Sequence, residues 1–409
     1  MPATPCRFCG TALEHSVVDL GMSPLCESYL PADALDKRES FYPLHVKVCQ
    51  ACFLVQVGEY VQAEEIFTEY AYFSSFSTAW LKHAEEYVKM ISERLTLGAQ
   101  SLVIELASND GYLLQYFNKR GIPSLGIEPA ANVAKAARDR GVETEVAFFG
   151  AEYARELRAS GRRADLVLGN NVLAQVPDLN SFVAGIPEIL KPEGTATFEF
   201  PHLMTLFEGN QFDTIYHEHF CYFSLLSVEA IFARHGLTVF DVEELWTHGG
   251  SLRIYACHSA AARPATARLV ELREREEQKG YRKLDTYTRF EEQVRETKRR
   301  LLKLLIELKS SGKTIVGYGA PGKGNTLLNY CGIRTDFLDF TVDRNPYKQG
   351  KFLPGTHIPI LEPARLDEAR PDYILILPWN FKDEILAQLA YARDWGARFI
   401  VPVPEATIV

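Results

Sequence analysis

The residues that decide the fold are Leu102-Val-Ile-Glu-Leu-Ala-Ser-Asn-Asp-Gly-Tyr-Leu-Leu-Gln-Tyr-Phe117. The stretch begins with a short apolar run, which predicts a buried parallel strand, and passes through a polar turn into the start of a helix. A second predicted strand, residues 124–128, ends in Glu128, which lies 23 positions after Glu105. In a doubly wound α/β fold, an acid at this point of the second strand holds the hydroxyl groups of a ribose. The sequence therefore predicts a nucleotide-binding strand–loop–helix unit.

The same alternation of strands and helices continues beyond this unit. Residues 164–169 form a further apolar run, and a polar stretch that contains Asn171 follows it. Such alternation is typical of a parallel sheet, in which ligand-binding residues gather where the strands end. The candidate cofactor-binding residues at these ends are Glu105, Asn109, Asp110, Gly111, Glu128 and Asn171.

These segments resemble the class I methyltransferases that use S-adenosylmethionine (SAM), whose first loop typically carries an acid followed by G-x-G-x-G. Gly111 is retained here, whereas Ala107 and Asn109 replace two of the glycines. Because close approach of the backbone to a pyrophosphate requires glycine, the replacements argue against a dinucleotide on this loop. The resemblance implies SAM as the cofactor, and another dinucleotide or a sheet without a ligand is the alternative.

Four of the eight cysteines form two C-x-x-C pairs, Cys6 with Cys9 and Cys49 with Cys52. Two such pairs let four thiolates converge on one zinc ion, and metal binding supplies folding energy that a short segment lacks. The pattern predicts a closed, structural zinc site. Two unrelated pairs of buried or redox-active thiols are the alternative.

The densest cluster of titratable groups lies in residues 212–224 and contains Tyr216, His217, Glu218, His219 and Tyr222. A neutral imidazole suits proton removal at neutral pH, so we expect at least one of the histidines to act as a general base. The spacing is not the H-E-x-x-H of a zinc helix, which disfavours a metal site. Packing in the core is the remaining interpretation for any one of these residues.

Two aromatic residues and one histidine elsewhere in the chain have two interpretations each. Tyr70 and Tyr72 lie among small polar residues before a predicted helix, and they form either part of the core or an active-site lid. His248 opens the stretch H-G-G-S-L-R, which is either a polar loop facing the same cleft or a turn before a strand.

A second nucleotide-binding pattern begins near residue 313. Residues 313–318 predict a strand, and the glycine-rich turn that follows leads into a helix, as in a dinucleotide-binding unit. Lys323 and the turn amides suit a phosphate, while a purely structural turn is an equal alternative. The charged residues 265–310 predict long helices that lead to this part of the chain.

The chain as a whole, at 409 residues, is too long for one ordinary core. We expect three domains: a zinc-binding domain over residues 1–75, a SAM-binding domain over 76–262, and helices with a Rossmann-like domain over 263–409. The net charge of −9 argues against nucleic acid as a partner, and the lack of a long apolar run argues against a membrane. Without a signal sequence or a coiled coil, we expect a cytoplasmic monomer or weak dimer.

Taken in order, several motifs resemble the sugar C-methyltransferases that act on nucleotide-linked 4-keto deoxysugars. The motifs are the paired cysteines, E-Y-A-Y-F-S-S, E-x-x-x-N-D-G, Y-H-E-H-F, H-G-G-S-L-R and G-Y-G-A-P-G-K-G-N-T. The resemblance spans the chain and implies an α/β fold with three parts: a zinc-binding subdomain, a class I SAM methyltransferase domain and a C-terminal Rossmann-like domain.

The resemblance also implies a reaction, in which a base removes the proton beside the C4 ketone and the resulting enolate takes the methyl group of SAM. The position expected here is C3, with C5, which some members of the family methylate, as the alternative. By motif, His219 is the base, and Tyr216, Glu218 and Tyr70 position the sugar or stabilise the enolate oxygen. The residues expected to contact the nucleotide-linked sugar are Tyr72, His217, Tyr222, His248, Lys323 and Asn325. The alternatives are a SAM-dependent O- or N-methyltransferase, an NAD-dependent oxidoreductase that uses the C-terminal glycine-rich loop, and a noncatalytic zinc scaffold.

Overall fold

The computed structural model describes residues 4–62, 73–261 and 263–409, so Tyr70 and Tyr72 lie outside the described residues. The chain forms two compact units, and neither is continuous in sequence. The first unit consists of Met1–Glu14, Cys49–His202 and Phe220–Arg282. The second unit consists of His15–Val48, Leu203–His219 and Lys283–Val409. The three predicted sequence domains stay a prediction.

The described strands, in chain order, are β1 (His15–Ser23), β2 (Tyr42–Val48), β3 (Val55–Val57), β4 (Val103–Leu106), β5 (Ser124–Ile127), β6 (Thr144–Glu145), β7 (Ala164–Asn170), β8 (Leu190–Pro201), β9 (Cys221–Tyr222), β10 (Leu237–Leu245), β11 (Ser251–His258), β12 (Ile315–Tyr318), β13 (Thr341–Val342), β14 (Ile360–Leu361), β15 (Tyr373–Ile376), β16 (Arg398–Val401) and β17 (Thr407–Ile408).

The described α-helices are α1 (Thr78–Arg94), α2 (Leu114–Lys119), α3 (Ala131–Asp139), α4 (Ala151–Ala159), α5 (Leu179–Ile189), α6 (Leu203–Glu208), α7 (Leu225–Arg234), α8 (Ala267–Gln278), α9 (Leu284–Thr288), α10 (Phe290–Ser310), α11 (Gly322–Cys331), α12 (Arg365–Ala369) and α13 (Lys382–Gln388). Within the residues that the structure describes, no helix combines the length and apolar character needed to cross a bilayer.

A seven-stranded sheet forms the centre of the first unit. Its order is β10-β11-β8-β7-β4-β5-β6, and all neighbours are parallel except that β11 runs antiparallel to both β10 and β8. The interior strand β4 is buried along its whole length, which explains why its residues are apolar apart from Glu105, because a parallel sheet is covered by helices on both faces. The strand order places the carboxyl ends of β4, β5 and β7 side by side.

Helix α1 covers part of this sheet and shows why its sequence forms a helix. Its buried residues recur at intervals of three and four, as expected for a helix with one face on a core. Ser77 precedes the helix, and its side-chain oxygen accepts a hydrogen bond from the backbone N–H of Trp80 at 3.2 Å, which caps the first turn.

The second unit contains another doubly wound sheet. Its order is β14-β13-β12-β15-β16-β17, in which only β17 is antiparallel to its neighbour. The antiparallel pair β1–β2 belongs to this unit although it lies near the start of the chain. The segment between β1 and β2 is tied to late residues: the Tyr29 hydroxyl donates to the carbonyl of Ala320 at 2.6 Å, and the Glu39 carboxylate accepts from the N–H of Gly355 at 2.7 Å.

Candidate functional site

The loop that follows β4 has an unusual backbone. Ala107, Asn109 and Gly111 have φ angles of 56°, 50° and 75°, which lie in the left-handed region. Asparagine tolerates this region, whereas alanine is strained there by roughly 1–2 kcal/mol. A Cβ atom at Gly111 would lie 2.9 Å from Cγ2 of Val142, so only glycine fits at that position. The loop therefore keeps a tight, glycine-like path although two of the expected glycines are absent.

Three buried acids lie in this loop or next to it: Glu105, Asp110 and Glu128. The Glu128 carboxylate at the end of β5 accepts hydrogen bonds from the backbone N–H groups of Asn109 at 2.8 Å and Ala130 at 2.9 Å. Burial nevertheless raises the pKa of Glu128 to about 7. Burial, with the charges of Glu128 and Asp110, raises the pKa of Glu105 well above its usual range. Shifted, buried acids at the carboxyl ends of parallel strands mark a binding crevice.

Two of the predicted cofactor-binding residues have protein partners in this loop. The Asp110 carboxylate pairs with the Arg140 guanidinium at 2.7 Å and accepts from the Ser75 hydroxyl at 2.5 Å. The Asn109 side-chain oxygen accepts from the N–H of Ser74 at 2.9 Å. These side chains fasten the segment before α1 to the loop. Both oxygens of the Glu128 carboxylate are engaged in the same way, by the backbone N–H groups of Asn109 and Ala130.

Asn171 and His248 lie together at the end of β7. The Asn171 amide nitrogen and His248 Nε2 are 2.7 Å apart, and both residues have positive φ angles, 58° and 54°. The Trp80 ring meets the His248 ring edge-on at 5.3 Å and stacks on Tyr112 at 5.8 Å. The structure thus places Asn171, predicted to bind the cofactor, beside His248, predicted to bind the substrate, with aromatic rings next to the pair.

A buried ionic network beside this pair is missing from the sequence prediction. Glu199 of β8 accepts from Arg253 Nη2 at 2.6 Å and pairs with His83 Nε2 at 2.9 Å. Its other oxygen accepts from the Thr247 hydroxyl at 2.7 Å, and Thr247 immediately precedes His248. The sequence contains one sign of this network: Glu199 in T-F-E-F and Arg253 in L-R-I-Y are charged residues within otherwise apolar strands.

The network controls the ionisation of Glu199. Burial by itself would raise the pKa of Glu199, but the Arg253 charge and the hydrogen bond with His83 outweigh burial and lower it to about 2. The same pairing raises the pKa of Arg253 above its usual range despite its burial. Glu199 and Arg253 are therefore a charged pair inside the first unit, and the pair fixes the turn that carries His248.

The four paired cysteines form one cluster in the first unit. Their Sγ atoms lie within 4.8 Å of one another, with 3.6 Å between Cys6 and Cys52 and 3.4 Å between Cys9 and Cys49. These distances are too long for a disulfide bond of about 2.05 Å. Tetrahedral zinc with bonds of about 2.3 Å separates its sulfur ligands by about 3.8 Å. The cluster fits one zinc ion, and four protein ligands leave no open position for catalysis.

His219 and Tyr216 lie together in the second unit. Their rings are 4.1 Å apart, and His219 Nδ1 is 3.2 Å from the carbonyl oxygen of Thr214. Because a carbonyl only accepts, Nδ1 carries the proton of the neutral ring, and Nε2 is the nitrogen that can take up a proton. His219 is 7% exposed, which limits competition from water.

The two residues between them face different surroundings. Glu218 is buried beside Cys26, whose Sγ is 3.7 Å from its carboxyl group, and burial together with the Glu27 charge raises the pKa of Glu218 to about 8. His217 instead contacts β2, with Nε2 3.2 Å from the Pro43 carbonyl, and burial lowers its pKa. Glu218 can therefore act as a proton donor at neutral pH, whereas His217 is engaged with the β1–β2 pair.

The predicted phosphate-binding residues lie at the start of α11. The Lys323 ammonium is 3.0 Å from Asn380 Oδ1 and 4.8 Å above the Trp379 ring. Burial lowers its pKa, against the opposing charge of Asp213. Asn325 is 1% exposed, and neither polar atom of its amide has a hydrogen-bond partner among the described residues. In the first unit, Tyr222 lies in β9 and pairs with Val55.

Fold and site together define a SAM-dependent methyltransferase that carries a structural zinc site. Models of protein families match the chain in three places: a zinc binding domain at residues 6–67, a methyltransferase domain at 80–242 and a C-methyltransferase C-terminal domain at 246–404. The chain is 36% identical to C-methyltransferase NovU of Streptomyces niveus over 408 residues, which is 100% of this chain and 97% of that protein. The chain belongs to the C-methyltransferase family.

Two solved structures are similar to part of the chain. The PH0226 protein of Pyrococcus horikoshii is 16% identical, with 49% of this chain and 99% of that one covered and a TM-score of 0.39. A SAM-dependent methyltransferase of Clostridium acetobutylicum is 12% identical, with 44% and 92% covered and a TM-score of 0.36.

The predicted fold class is confirmed, with a zinc-binding part, a class I methyltransferase sheet and a second Rossmann-like sheet. SAM as the cofactor and zinc as the structural metal are confirmed as well. The roles predicted for individual site residues stay predictions.

Proposed function

We propose that this C-methyltransferase acts on a nucleotide-linked 4-keto-6-deoxysugar and methylates it at C3. The observation that carries the proposal is the setting of His219, whose Nδ1 is bound to the Thr214 carbonyl, so that Nε2 can accept a proton. Transfer of a methyl group to carbon needs a carbanion-like nucleophile, and a ketone acidifies the adjacent C–H bond enough for an imidazole to act. The substrate class itself rests on the resemblance of the ordered motifs to sugar C-methyltransferases.

In the proposed mechanism, Nε2 of His219 removes the proton at C3 and the electron pair moves onto the C4 oxygen. Glu218, whose pKa is raised to about 8 chiefly by burial, is mostly a carboxylic acid at pH 7 and donates a hydrogen bond to that oxygen. The Tyr216 hydroxyl is the second donor, since its ring lies 4.1 Å from His219. Bound SAM would supply an electrophilic methyl group, which would form a bond to C3 while the S–CH3 bond breaks and its electron pair stays on the sulfur. Afterwards His219 returns its proton to water.

The residues proposed to hold SAM belong to the first unit. Glu128 binds the ribose hydroxyls, and the tight loop around Gly111 passes close to the cofactor. Glu105 and Asn171 complete the set at the ends of β4 and β7. Asn109 and Asp110 hold the loop in place through Ser74, Ser75 and Arg140.

The residues proposed to contact the sugar nucleotide remain those expected from the motifs: Tyr72, His217, Tyr222, His248, Lys323 and Asn325. Tyr70 keeps its proposed role of positioning the sugar or stabilising the enolate oxygen. Support is strongest for Asn325, whose buried amide lacks a partner among the described residues. A net charge of −9 supports a small molecule rather than a nucleic acid as partner. We also propose a cytoplasmic enzyme without a membrane partner, present as a monomer or weak dimer.

The test is proton exchange in heavy water with a nucleotide-linked 4-keto-6-deoxysugar, followed by NMR, for the wild type and His219→Ala. We expect deuterium uptake at C3 without SAM, a C3 methyl group with SAM, and a loss of both by at least about 100-fold in the variant. His258→Gln is the matched control, because His258 also binds a backbone carbonyl, that of Leu190 at 3.2 Å, but lies at the end of β11.

Undiminished exchange in His219→Ala would contradict the assignment of the base. A methyl group on oxygen or nitrogen would favour the other methyltransferase classes, and a methyl group at C5 would correct the position while keeping the mechanism.

A further inference from the structure

The chain directly after His219 is held by the zinc-binding part of the first unit. Phe220 is 1% exposed, and its carbonyl accepts a hydrogen bond from the N–H of Val57 at 3.0 Å. The next residues form β9, which pairs with β3 so that Cys221 lies opposite Gln56. The backbone that follows the proposed base is therefore fixed by β3, only a few residues after the ligand Cys52.

Gln56 connects this strand pair to the metal ligands. Its amide nitrogen donates to Cys6 Sγ at 3.2 Å, and its amide oxygen accepts from the N–H of Arg7 at 2.9 Å. The residue is 1% exposed, so both hydrogen bonds are shielded from water. Hydrogen bonds to a ligand sulfur orient the ligand and tune its hold on the metal.

Arg7 connects the metal centre to Phe220 by charge. Its side chain is 9% exposed, its guanidinium carbon lies 5.0 Å from the centre of the Phe220 ring, and Nε and Nη2 have no hydrogen-bond acceptor among the described residues. Within residues 4–62, 73–261 and 263–409, the carboxylate that pairs with Arg7 is that of the half-exposed Glu59, 4.0 Å from Nη2. A buried cation needs a compensating charge. Four thiolates carry two more negative charges than one zinc ion offsets, so the loaded metal centre provides it.

We propose that Gln56 and Arg7 are positioning residues that fix the Phe220–Tyr222 backbone when zinc is bound. This backbone in turn holds the preceding residue, His219, in place for catalysis. With zinc bound, the Cys6 thiolate anchors Gln56 and the negative centre holds Arg7 over Phe220. Without zinc, both anchors weaken and the β3–β9 pair loosens. The catalytic part of this inference rests on the proposed function, whereas the coupling of zinc to β9 does not.

The experiment compares wild-type protein with Gln56→Leu and Arg7→Leu. Arg234→Leu is the matched control, since Arg234 is an exposed arginine beside Phe8 of the same knuckle, 6.0 Å from its ring. Measurements are zinc release to a chromogenic chelator, amide exchange by mass spectrometry, the SAM dissociation constant and kcat. We expect zinc release 10- to 100-fold faster in both variants, faster exchange of the Val57 amide, and a lower kcat with SAM binding within twofold of the wild type.

Two further measurements keep the proposal testable if one of the leucine variants fails to fold. Arg7→Lys keeps the charge and should restore most of the zinc retention. In wild-type protein, removal of zinc by the chelator should speed exchange at Val57 while the amides of β4 remain protected.

Several results would overturn the proposal. Unchanged zinc release in both variants would remove Gln56 and Arg7 from the metal centre, and equal loss of protection in β3 and β4 would give zinc only a global structural role. Faster exchange at Val57 with unchanged kcat would show that the coupling stops before His219. If the wild type lacks methyl transfer to the sugar altogether, the zinc and exchange measurements still decide the structural half independently of the proposed function.

Discussion

Replacement of Glu199 by glutamine should destabilise the first unit by an amount that depends on pH. Glutamine matches glutamate in shape and can still accept from Thr247, so Glu199→Gln removes only the buried charge. The folded-state pKa of Glu199 is about 2, against an ordinary value of 4.5. A difference of this size corresponds to about 3 kcal/mol of stability at neutral pH.

The sign of the pH dependence follows from the direction of this pKa. Because the pKa is lowered on folding, the stabilisation is complete above pH 4.5 and is lost as the pH falls toward 2. The gap between wild type and Glu199→Gln should therefore be constant from pH 6 to 8. It should shrink by about 1 kcal/mol at pH 4 and by roughly 2 kcal/mol at pH 3.

Equilibrium urea unfolding at a series of pH values, followed by far-ultraviolet circular dichroism, measures this gap. Glu244→Gln is the matched control on the same sheet, because the Glu244 carboxylate pairs with Arg275 at 2.5 Å but is 48% exposed. An exposed pair contributes less than about 1 kcal/mol. The reasoning is refuted if Glu199→Gln costs no more than Glu244→Gln, or if its cost is the same at pH 4 as at pH 7.

Two further predictions concern the catalytic cluster and the cofactor loop. Since burial raises the pKa of Glu218 to about 8, kcat of the wild type should decline as the pH rises through 8. Glu218→Gln keeps a hydrogen-bond donor and should lack this decline in a pH–rate profile. An identical decline in the variant would count against Glu218 as the donor. Gly111→Ala should weaken SAM binding at least tenfold, measured by calorimetry, because the new Cβ would lie 2.9 Å from Val142 Cγ2. The control Gly121→Ala, also at positive φ but with no neighbour within 4 Å, should bind SAM normally. Equal affinities of the two variants would contradict the steric argument.

Much of the fold could be predicted from the sequence because its signals are local. The apolar run of β4, the acid at the end of β5 and the two C-x-x-C pairs each lie within a few residues, and all three are found in the structure as expected. The site was harder to predict. Asp110 has the right residue type and position for a cofactor contact, yet its carboxylate is engaged with Arg140, which lies 30 residues away.

Long-range partners account for the other differences between sequence and structure. Glu199 and Arg253 stand out locally as charged residues in apolar strands, but their pairing with each other and with His83 of α1 joins positions that are distant in sequence. The pairing, and with it the low pKa of Glu199, could therefore not be derived from a local pattern. The β1–β2 pair lies between the cysteine knuckles in sequence, but its membership in the second unit depends on contacts with residues beyond 283. Periodicity and spacing contain no information on such contacts.

The interleaved order of the two units determines how early each unit can fold during synthesis. The chain passes from one unit to the other five times, and the second unit needs both His15–Val48 and Lys283–Val409. At a ribosomal rate of 5–20 residues per second, residues 15–48 wait roughly 10–50 s before their C-terminal partners even begin to appear. The first unit is not complete until residue 282 has been made. The nascent chain therefore cannot finish one unit before starting the other. During that interval, the early strand β1 lacks the helices α9, α10 and α11 that it finally contacts.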